Sequence, residues 1–237
     1  MKSIAIIPAR GGSKRLPRKN LIELGGKPLV AHTIEAAIGS GKFSRIILSS
    51  DDDEILSIGD SYQEVTTEKR DAGLAGDKVK VIDLIKQIGA RADVESEYDI
   101  ISLLLPTCPF RTADDLVKGF NMLTEDDYSV VSMCPMNEPV QLVVGLDEST
   151  GVVNKEALLD PSPLVTGQTR SQDFQPYFRV NGGFYIAWLK KFNQSENFFQ
   201  GKVKGCVMDA ERSIDIDYEK DLEVARFLIE KGYINLT

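Results

Sequence analysis

Short apolar runs alternate with amphipathic stretches along most of the 237 residues. Compact apolar runs bounded by polar segments predict buried strands, and these are Ser3–Ile7, Arg45–Leu48, Ile100–Leu104 and Ser129–Met133. Apolar residues at helical spacing predict intervening helices at Leu29–Ile38, Val79–Ile88 and Asp114–Leu123. Strands that alternate with helices are typical of βαβ units. We therefore predict an α/β fold whose mainly parallel twisted sheet is flanked by helices.

The alternation lapses between about Asn137 and Phe178. Two apolar segments there, Gln141–Leu146 and Val152–Val153, flank a polar turn and predict a β-hairpin. A two-stranded ribbon is only marginally stable unless it packs on another surface. We predict one domain over residues 1–237 with an insertion at about 137–178. Its hairpin is either a surface flap or, as we favour, a protruding arm that packs on a second subunit.

Composition and charge exclude several classes of partner. The net charge of −8 argues against nucleic-acid binding, because such surfaces need clustered positive charge. No apolar run approaches the roughly 20 residues of a membrane-spanning helix, and the first residues lack the pattern of a signal peptide. Three cysteines without metal-ligand spacing indicate a reducing compartment. We expect a cytoplasmic protein that binds neither nucleic acid nor membrane.

The positive charge is concentrated near the start of the chain. Six of the 28 Lys and Arg residues lie within the first 20 positions, and no acidic residue precedes Glu23. Adjacent Gly11 and Gly12 let backbone N–H groups approach a phosphate. Side chains that can surround a triphosphate follow the first strand, where open α/β sheets bind ligands; they are Arg10, Ser13, Lys14 and Lys19. The alternative is a solvated basic loop. The spacing fits neither a P-loop nor a dinucleotide fingerprint.

Leu222, Ala225, Leu228 and Ile229 share one helical face and predict a final helix that ends at Gly232. Two aspartates precede it. In an extended segment Asp215 and Asp217 project from the same face, and paired carboxylates are suitable ligands for Mg²⁺. The alternative is that Asp217 caps the helix that follows. The rival acidic cluster 51–54 is more typical of a helix start. The lone His32 is expected to be structural.

The segment Ala9-Arg10-x-x-Ser13-Lys14-x-x-x-x-Lys19-Asn20 resembles the signature loop of the CMP-sialic acid synthetases, the acylneuraminate cytidylyltransferases. Leu104–Arg111 resembles the family's Leu-Gln-Pro-Thr-Ser-Pro-Leu-Arg turn, and Arg179–Ile186 is similar to its Arg-x-Asn-Gly-Ala-x-Tyr-Ile segment. The resemblance covers nearly the whole chain. It implies a Rossmann-like nucleotidyltransferase fold, a homodimer, and transfer of CMP from CTP to an acidic nine-carbon sugar with Mg²⁺.

The resemblance also assigns site residues. The predicted nucleotide-binding residues are Pro8, Ala9, Arg10, Gly11, Gly12, Ser13, Lys14, Asn20 and Arg70. The predicted catalytic residues are Arg10, Lys14, Lys19 and Asp217. Magnesium is expected on Asp215 and Asp217. The predicted sugar-binding residues are Leu105, Gln141, Arg170, Asn181 and Tyr185.

Departures from the family pattern fall on the expected sugar pocket. Leu105 replaces a glutamine, Gln141 stands where some members carry lysine, and Ser171 follows Arg170 where many have a second arginine. Loss of polar donors changes which hydroxyl or carboxylate groups of the substrate can be hydrogen-bonded by the protein. A deoxy sugar such as pseudaminic or legionaminic acid is therefore an alternative to sialic acid. The competing functions are a CMP-Kdo synthetase or other sugar nucleotidyltransferase, and a non-catalytic nucleotide-binding subunit.

Overall fold

A computed structural model describes residues 1–70, 80–154, 162–168 and 170–236. The chain forms two compact units, Met1–Met133 with Val180–Thr237, and Cys134–Arg179. The bounds of the second unit lie within a few residues of the insertion expected at 137–178. Among the described residues, no helix combines the length and apolar character needed to cross a bilayer.

Within the described residues, the main sheet has seven strands: β1 (Ser3–Pro8), β4 (Arg45–Ser50), β5 (Val65–Lys69), β6 (Ile100–Leu103), β7 (Ser129–Pro135), β10 (Phe178–Trp188) and β11 (Val203–Val207). Their order across the sheet is β11-β7-β10-β6-β1-β4-β5. β1 pairs in parallel with β4 and β6, β4 with β5, and β7 with β11. β10 runs antiparallel to β6. The predicted mainly parallel sheet and its four predicted strands are confirmed.

Helices cover both faces of this sheet. They are α1 (Leu29–Gly39), α2 (Asp53–Asp60), α3 (Val81–Gly89), α4 (Ala92–Glu97), α5 (Ala113–Met122) and α7 (Leu189–Ser195). The last helix, α8 (Glu219–Glu230), packs in a separate apolar cluster. The three helices predicted between strands are present with small shifts of their ends. Val79, the predicted start of α3, lies outside the described residues. A capping box begins α5, since Asp115 N donates to Thr112 Oγ1 and Thr112 N donates to the Asp115 carboxylate.

β1 is buried on both faces, which explains its unbroken apolar run. Ala5 and Ile7 belong to a cluster that includes Ile34 of α1, whereas Ile4 and Ile6 belong to a cluster on the other side, with Ile85 of α3. Alternate side chains of a strand point to opposite faces. The central strand therefore holds the helices of both layers, and the segment that follows it emerges from a rigid base.

A third apolar cluster joins the two ends of the first unit. The stretch from Arg10 to Asn20 that follows β1 is called the basic segment below. Its Leu16 is buried in this cluster with Ile216, together with Leu222 and Ala225 of α8. A hairpin of β2 (Glu23–Leu24) and β3 (Lys27–Pro28) contributes Leu24. Burial of these side chains draws the segment after β1 and the segment before α8 to the same place.

The second unit contains the predicted hairpin. β8 (Gly145–Asp147) pairs antiparallel with β9 (Val152–Asn154), so the hairpin is confirmed. Its first strand is shorter than the predicted Gln141–Leu146, because Val140–Leu142 forms a short 3-10 helix after Pro139. The same unit holds the single-turn helix α6 (Pro163–Thr166) and a 3-10 turn at Ser171–Asp173.

Candidate active site

The basic segment after β1 is held by backbone hydrogen bonds. Ala9 N donates to Ser49 O at 3.0 Å, and Gly11 N donates to Asp51 Oδ1 at 2.9 Å. The buried Asn20 amide donates to Arg10 O at 2.8 Å. This hydrogen bond links the two ends of the basic segment through Asn20, which the sequence predicts to lie against the nucleotide. Asp51 was missed by sequence reasoning, because its contact with Gly11 spans 40 residues.

Gly11 lies against the start of α2. A Cβ atom added there would meet Asp52 Oδ2 at 2.6 Å and Asp52 Cβ at 2.7 Å, whereas one added to Gly12 would meet no atom of the described residues within 4 Å. Asp52 is fixed in this place because it caps α2, with Oδ1 accepting from Glu54 N at 2.9 Å. Among the described residues, close packing requires a residue without a side chain at position 11 but not at position 12. The prediction that the cluster 51–54 is a helix start is confirmed.

A cavity of about 340 Å³ opens beside the basic segment. Its lining brings together most of the predicted catalytic and phosphate-binding side chains with an acidic residue from the far end of the chain: Arg10, Ser13, Lys14, Arg15, Lys19, Asn20 and Asp217. Four of these described lining residues are cationic and one is acidic. Such a cavity suits a small polyanion.

Asp217 is paired with cations from the basic segment. Lys19 Nζ lies 2.8 Å from Asp217 Oδ1, and Arg15 Nη2 lies 2.5 Å from Asp217 Oδ2. Arg15 also lies over the Tyr218 ring, 5.0 Å from its centroid. The hydrogen bond with Tyr218 and the charge of Asp217 raise the pKa of Arg15. Arg15 was not among the predicted site residues, although it is a cation of the same segment.

Asp215 faces the same region. Its negative charge contributes to the raised pKa of Arg15, and it also contributes to the raised pKa of Tyr185, for which burial is the larger cause. Between the two aspartates, Ile216 is fully buried, and its N–H donates to Thr107 O at 2.8 Å. The alternation predicted from the sequence is therefore present: Ile216 enters the core, and the carboxylates project away from it.

Asp217 does not cap the last helix. α8 begins at Glu219 with Tyr218 as its N-cap, and the capping carboxylate is that of Asp221, which accepts from Asp217 N at 3.0 Å and Tyr218 N at 2.8 Å. The capping alternative for Asp217 is wrong. Its carboxylate is directed to Lys19 and Arg15 instead.

Arg70 follows β5 at the same edge of the sheet. Its Nη2 donates to Ser49 O at 2.8 Å. Burial lowers the pKa of Arg70, the charge of Asp51 opposes this, and the charge of Arg10 lowers the pKa further. Arg70 thus shares its surroundings with Arg10, as a nucleotide contact requires. The sequence after it, 71–79, lies outside the described residues.

The predicted sugar-binding residues fall in both units. Leu105, Asn181 and Tyr185 belong to the first. Leu105 is half-buried, and its Cδ1 would lie 3.4 Å from a Cβ atom at Gly182, whose φ of +76° favours glycine. The buried Asn181 amide donates to Ser213 Oγ at 2.8 Å and accepts from Gly183 N at 3.1 Å.

Gln141 and Arg170 belong to the second unit. The nearly buried Gln141 donates from Nε2 to Gln175 O at 2.8 Å, and Arg170 is exposed. Nothing in these contacts identifies a ligand, so their sugar-binding role stays a prediction. The other candidate residues are structural. His32 Nε2 is bonded to Leu24 O at 2.8 Å within the core, and burial lowers the His32 pKa. All three cysteines lie within the described residues, where they are buried and form no disulfide.

The donor set around Asp215 and Asp217 suits magnesium. Among the described residues, no group of three or more His, Cys, Asp or Glu side chains is placed to hold a metal. Magnesium is commonly held by one or two carboxylates, with substrate phosphates and water completing its octahedron. Two aspartates beside a cation-lined cavity for a polyanion fit this pattern.

A family model described as cytidylyltransferase matches residues 4–231. The chain belongs to the cytidylyltransferase family. The pseudaminic acid cytidylyltransferase of Campylobacter jejuni is 31% identical over 235 residues, which is 98% of this chain and 98% of the relative. The CMP-N,N'-diacetyllegionaminic acid synthase of Legionella pneumophila is 31% identical over 97% of each chain. The N-acylneuraminate cytidylyltransferase of Escherichia coli is 32% identical over 97% of this chain and 52% of the relative.

A solved structure of a CMP:2-keto-3-deoxy-manno-octonic acid synthetase complexed with CTP matches with a TM-score of 0.68. It covers 98% of this chain and all of that chain at 17% identity, which shows a shared fold. The resemblance to the CMP-sialic acid synthetases is confirmed, and this member of the cytidylyltransferase family is a nucleotidyltransferase.

Proposed function

We propose that the protein transfers CMP from CTP to the anomeric hydroxyl of a sialic-acid-like nonulosonic acid and releases pyrophosphate. The observation that carries this proposal is the cavity in which Arg10, Lys14 and Lys19 meet Asp217. The cations of the cavity match a triphosphate. The family of the chain and the names of its relatives point to cytosine as the base of the nucleotide and to a nonulosonic acid as the acceptor.

The basic residues would act by charge stabilisation. Transfer at phosphorus depends chiefly on positioning and on neutralising charge in the transition state. Arg10 and Lys14 would bind the triphosphate from the side of the glycine turn, and Lys19 would stabilise the departing pyrophosphate. Direct in-line attack by the sugar hydroxyl needs no covalent enzyme intermediate, and the sequence offers no nucleophile–histidine pair for one.

Asp215 and Asp217 would hold Mg²⁺, which would supply Lewis-acid polarisation of phosphate oxygens. Both oxygens of Asp217 are bonded to cations in this structure. Lys19 and Arg15 would therefore compete with a metal ion for this carboxylate. A triphosphate in the cavity would offer both side chains replacement anions, so nucleotide binding would prepare the aspartate.

The acceptor would contact Leu105, Asn181 and Tyr185, with Gln141 and Arg170 as further predicted contacts. Relatives named for three different sugars are 31% or 32% identical to this chain, so identity alone does not choose among the sugars. A half-buried leucine at position 105 favours an acceptor with a methyl group in place of a hydroxymethyl group. We therefore place pseudaminic and legionaminic acids ahead of sialic acid.

A homodimer is proposed for the protein, with its interface on the second unit. The described residues of that unit expose eight large apolar side chains: Val143, Leu146, Val152, Val153, Leu164, Val165, Tyr177 and Phe178. So many exposed apolar side chains on a small unit are typical of an interaction site. A cytoplasmic location is proposed because buried cysteines that form no disulfide suit a reducing compartment.

The test is an acceptor panel with purified protein, CTP and Mg²⁺. Pyrophosphate release and CMP-sugar formation would be followed by ³¹P NMR and mass spectrometry for sialic, legionaminic, pseudaminic and Kdo acceptors. We expect a nonulosonic acid to be the best acceptor and Lys14→Met to lower the rate about a hundredfold. Preference for Kdo would support the alternative synthetase. CTP binding without turnover of any acceptor would support the non-catalytic alternative.

A further inference from the structure

Arg111 is a buried cation at the end of the turn that follows β6. The residue is 2% exposed. Its Nη1 donates to Leu105 O at 3.2 Å and also to Gly183 O in β10. Burial lowers the pKa of Arg111 to about 10, so the side chain is still positive at neutral pH. One guanidinium nitrogen thus joins the turn after β6 to the middle of β10.

Stability alone is a weak reason for this residue. Desolvation of a guanidinium costs free energy, and within the described part of the chain Nε and Nη2 of Arg111 have no hydrogen-bond partner. Replacing buried charges with apolar side chains of similar size is often neutral or stabilising. The informative feature is therefore which two carbonyl groups Arg111 holds together.

These contacts form part of a ring that is closed by hydrogen bonds together with two short stretches of backbone, 107–111 and 213–216. Gly183 N donates to Asn181 Oδ1 at 3.1 Å, and Asn181 Nδ2 donates to Ser213 Oγ at 2.8 Å. The ring returns from Ile216 N to Thr107 O at 2.8 Å, within the turn that Arg111 ends. Three separate segments are linked in this way. Two of them carry predicted sugar contacts, and the third carries Asp215 and Asp217.

We propose that Arg111 is a positioning residue, which sets the floor of the acceptor site relative to the two metal-binding aspartates. The inference rests on the proposed function, because it concerns the geometry of the same site. Arg111 lies beneath this floor and is not proposed to touch the substrate. Its loss would let the turn and β10 move apart, which would misplace the acceptor while the triphosphate contacts of the basic segment remain.

The first test compares Arg111→Met with the wild-type protein. We expect the melting temperature to change little and the KM for CTP to stay within about twofold. The KM for the acceptor should rise, and kcat should fall, by roughly tenfold each, because small misplacements of bound reactants are costly. Arg111→Lys should recover part of the loss, since an ammonium group can reach one carbonyl. Unchanged acceptor kinetics, or an equal rise in both KM values with a fall in melting temperature, would overturn the proposal.

A second variant tests the opposite side of the ring and covers the case in which Arg111→Met does not fold. Ser213→Ala removes the hydroxyl that accepts from Asn181. Its control is Ser129→Ala, since Ser129 is equally buried and its hydroxyl donates to Phe198 O, a contact outside the ring. We expect the acceptor-specific loss with Ser213→Ala alone. Equal effects of the two substitutions would overturn the proposal.

Hydrogen exchange separates this inference from the proposed function. Without any substrate, Arg111→Met should accelerate exchange of the Ile216 amide, although Arg111 has no bond to it, because Thr107 loses its fixed position. Unchanged exchange there would contradict the ring. If the wild-type protein turned over no acceptor, the proposed function would fail, and the exchange measurement would still decide whether Arg111 couples the three segments.

Discussion

Lys19 and Asp217 are separated by 198 residues in the sequence, yet their side chains form an ion pair with Nζ 2.8 Å from Oδ1. The lysine is 12% exposed and the aspartate 26% exposed, so solvent screens the pair only in part. With Arg15 on the other oxygen, the carboxylate is held by two cations of the basic segment. The same charges that would bind a triphosphate therefore occupy the proposed metal ligand in its absence.

The first prediction concerns metal binding without nucleotide. Removing one counter-ion from Asp217 should make the carboxylate a better ligand, so Lys19→Met should bind Mn²⁺ alone roughly fivefold more tightly than wild type. Electron paramagnetic resonance of free Mn²⁺ would measure this affinity. Lys27→Met is the matched control, because Lys27 pairs with Glu35 instead. Equal Mn²⁺ affinity of Lys19→Met and wild type would contradict the prediction.

The second prediction concerns the charge of Asp217. Asp217→Asn keeps the size of the side chain and removes its charge, so the fold should survive while kcat falls about a hundredfold or more. The dependence of the rate on Mg²⁺ concentration should shift to higher concentrations. Steady-state kinetics across a magnesium series would measure both effects. Asp53→Asn, at an exposed position that pairs with Lys69, should behave as wild type, and full turnover of Asp217→Asn would remove the metal assignment.

The third prediction separates the two adjacent glycines. Gly11→Ala places a methyl group against Asp52, so either the basic segment or the start of α2 must move. We expect the affinity for CTP to fall about tenfold, measured by isothermal titration calorimetry. The methyl group of Gly12→Ala meets no atom within 4 Å in the described part of the chain, and this variant should bind CTP within about twofold of wild type. Similar losses in both variants would argue that backbone flexibility, rather than close packing, determines the effect.

The fourth prediction concerns the cap of α2. Asp52→Ala removes the acceptor for Glu54 N and Ile55 N. Loss of such a cap should lower the free energy of unfolding by about 1 kcal/mol, measured by urea denaturation. Asp53→Ala, one residue further along and without a capping bond, should change it by less than about 0.5 kcal/mol. An unchanged stability of Asp52→Ala would show that the cap is replaced by water.

The fifth prediction concerns the proposed homodimer. Val152 of β9 is 62% exposed, and Val152→Glu would place a charge in the proposed apolar interface. Sedimentation velocity should detect a dimer for the wild type and a larger monomer fraction for the variant. Phe227→Glu, which alters an exposed residue of α8 in the other unit, should leave the dimer intact. A monomeric wild type at assay concentration would end the proposal.

The parts of the fold that could be predicted are those with strong local patterns. β1 is recognisable because Ile4, Ile6 and Ile7 form one apolar run that is buried on both faces. The short polar strand β5, Val-Thr-Thr-Glu-Lys, lies at the edge of the sheet and lacks such a run. β10 was also missed, because Gly182 and Gly183 interrupt its apolar pattern like a turn.

The candidate site also has residues that can be predicted from local sequence and residues that cannot. The basic segment and the pair of aspartates carry spacing that can be interpreted locally. The bond from Gly11 to Asp51 and the carbonyl contacts of Arg111 depend on how distant segments pack, and no periodicity encodes them. Arg15 was overlooked because nothing in its neighbourhood distinguishes it from Arg18, which instead pairs with Glu54.

The buried side chain of Ile216 limits how this part of the chain can change in length. Inserting a single residue between Asp215 and Ile216 would invert the alternation that follows, turning Asp217 toward apolar neighbours and Ile216 toward water. Two residues inserted together would preserve the orientation of the side chains that follow. An engineered graft of this proposed metal-binding segment onto another scaffold must therefore carry the buried isoleucine in its place between the two acids.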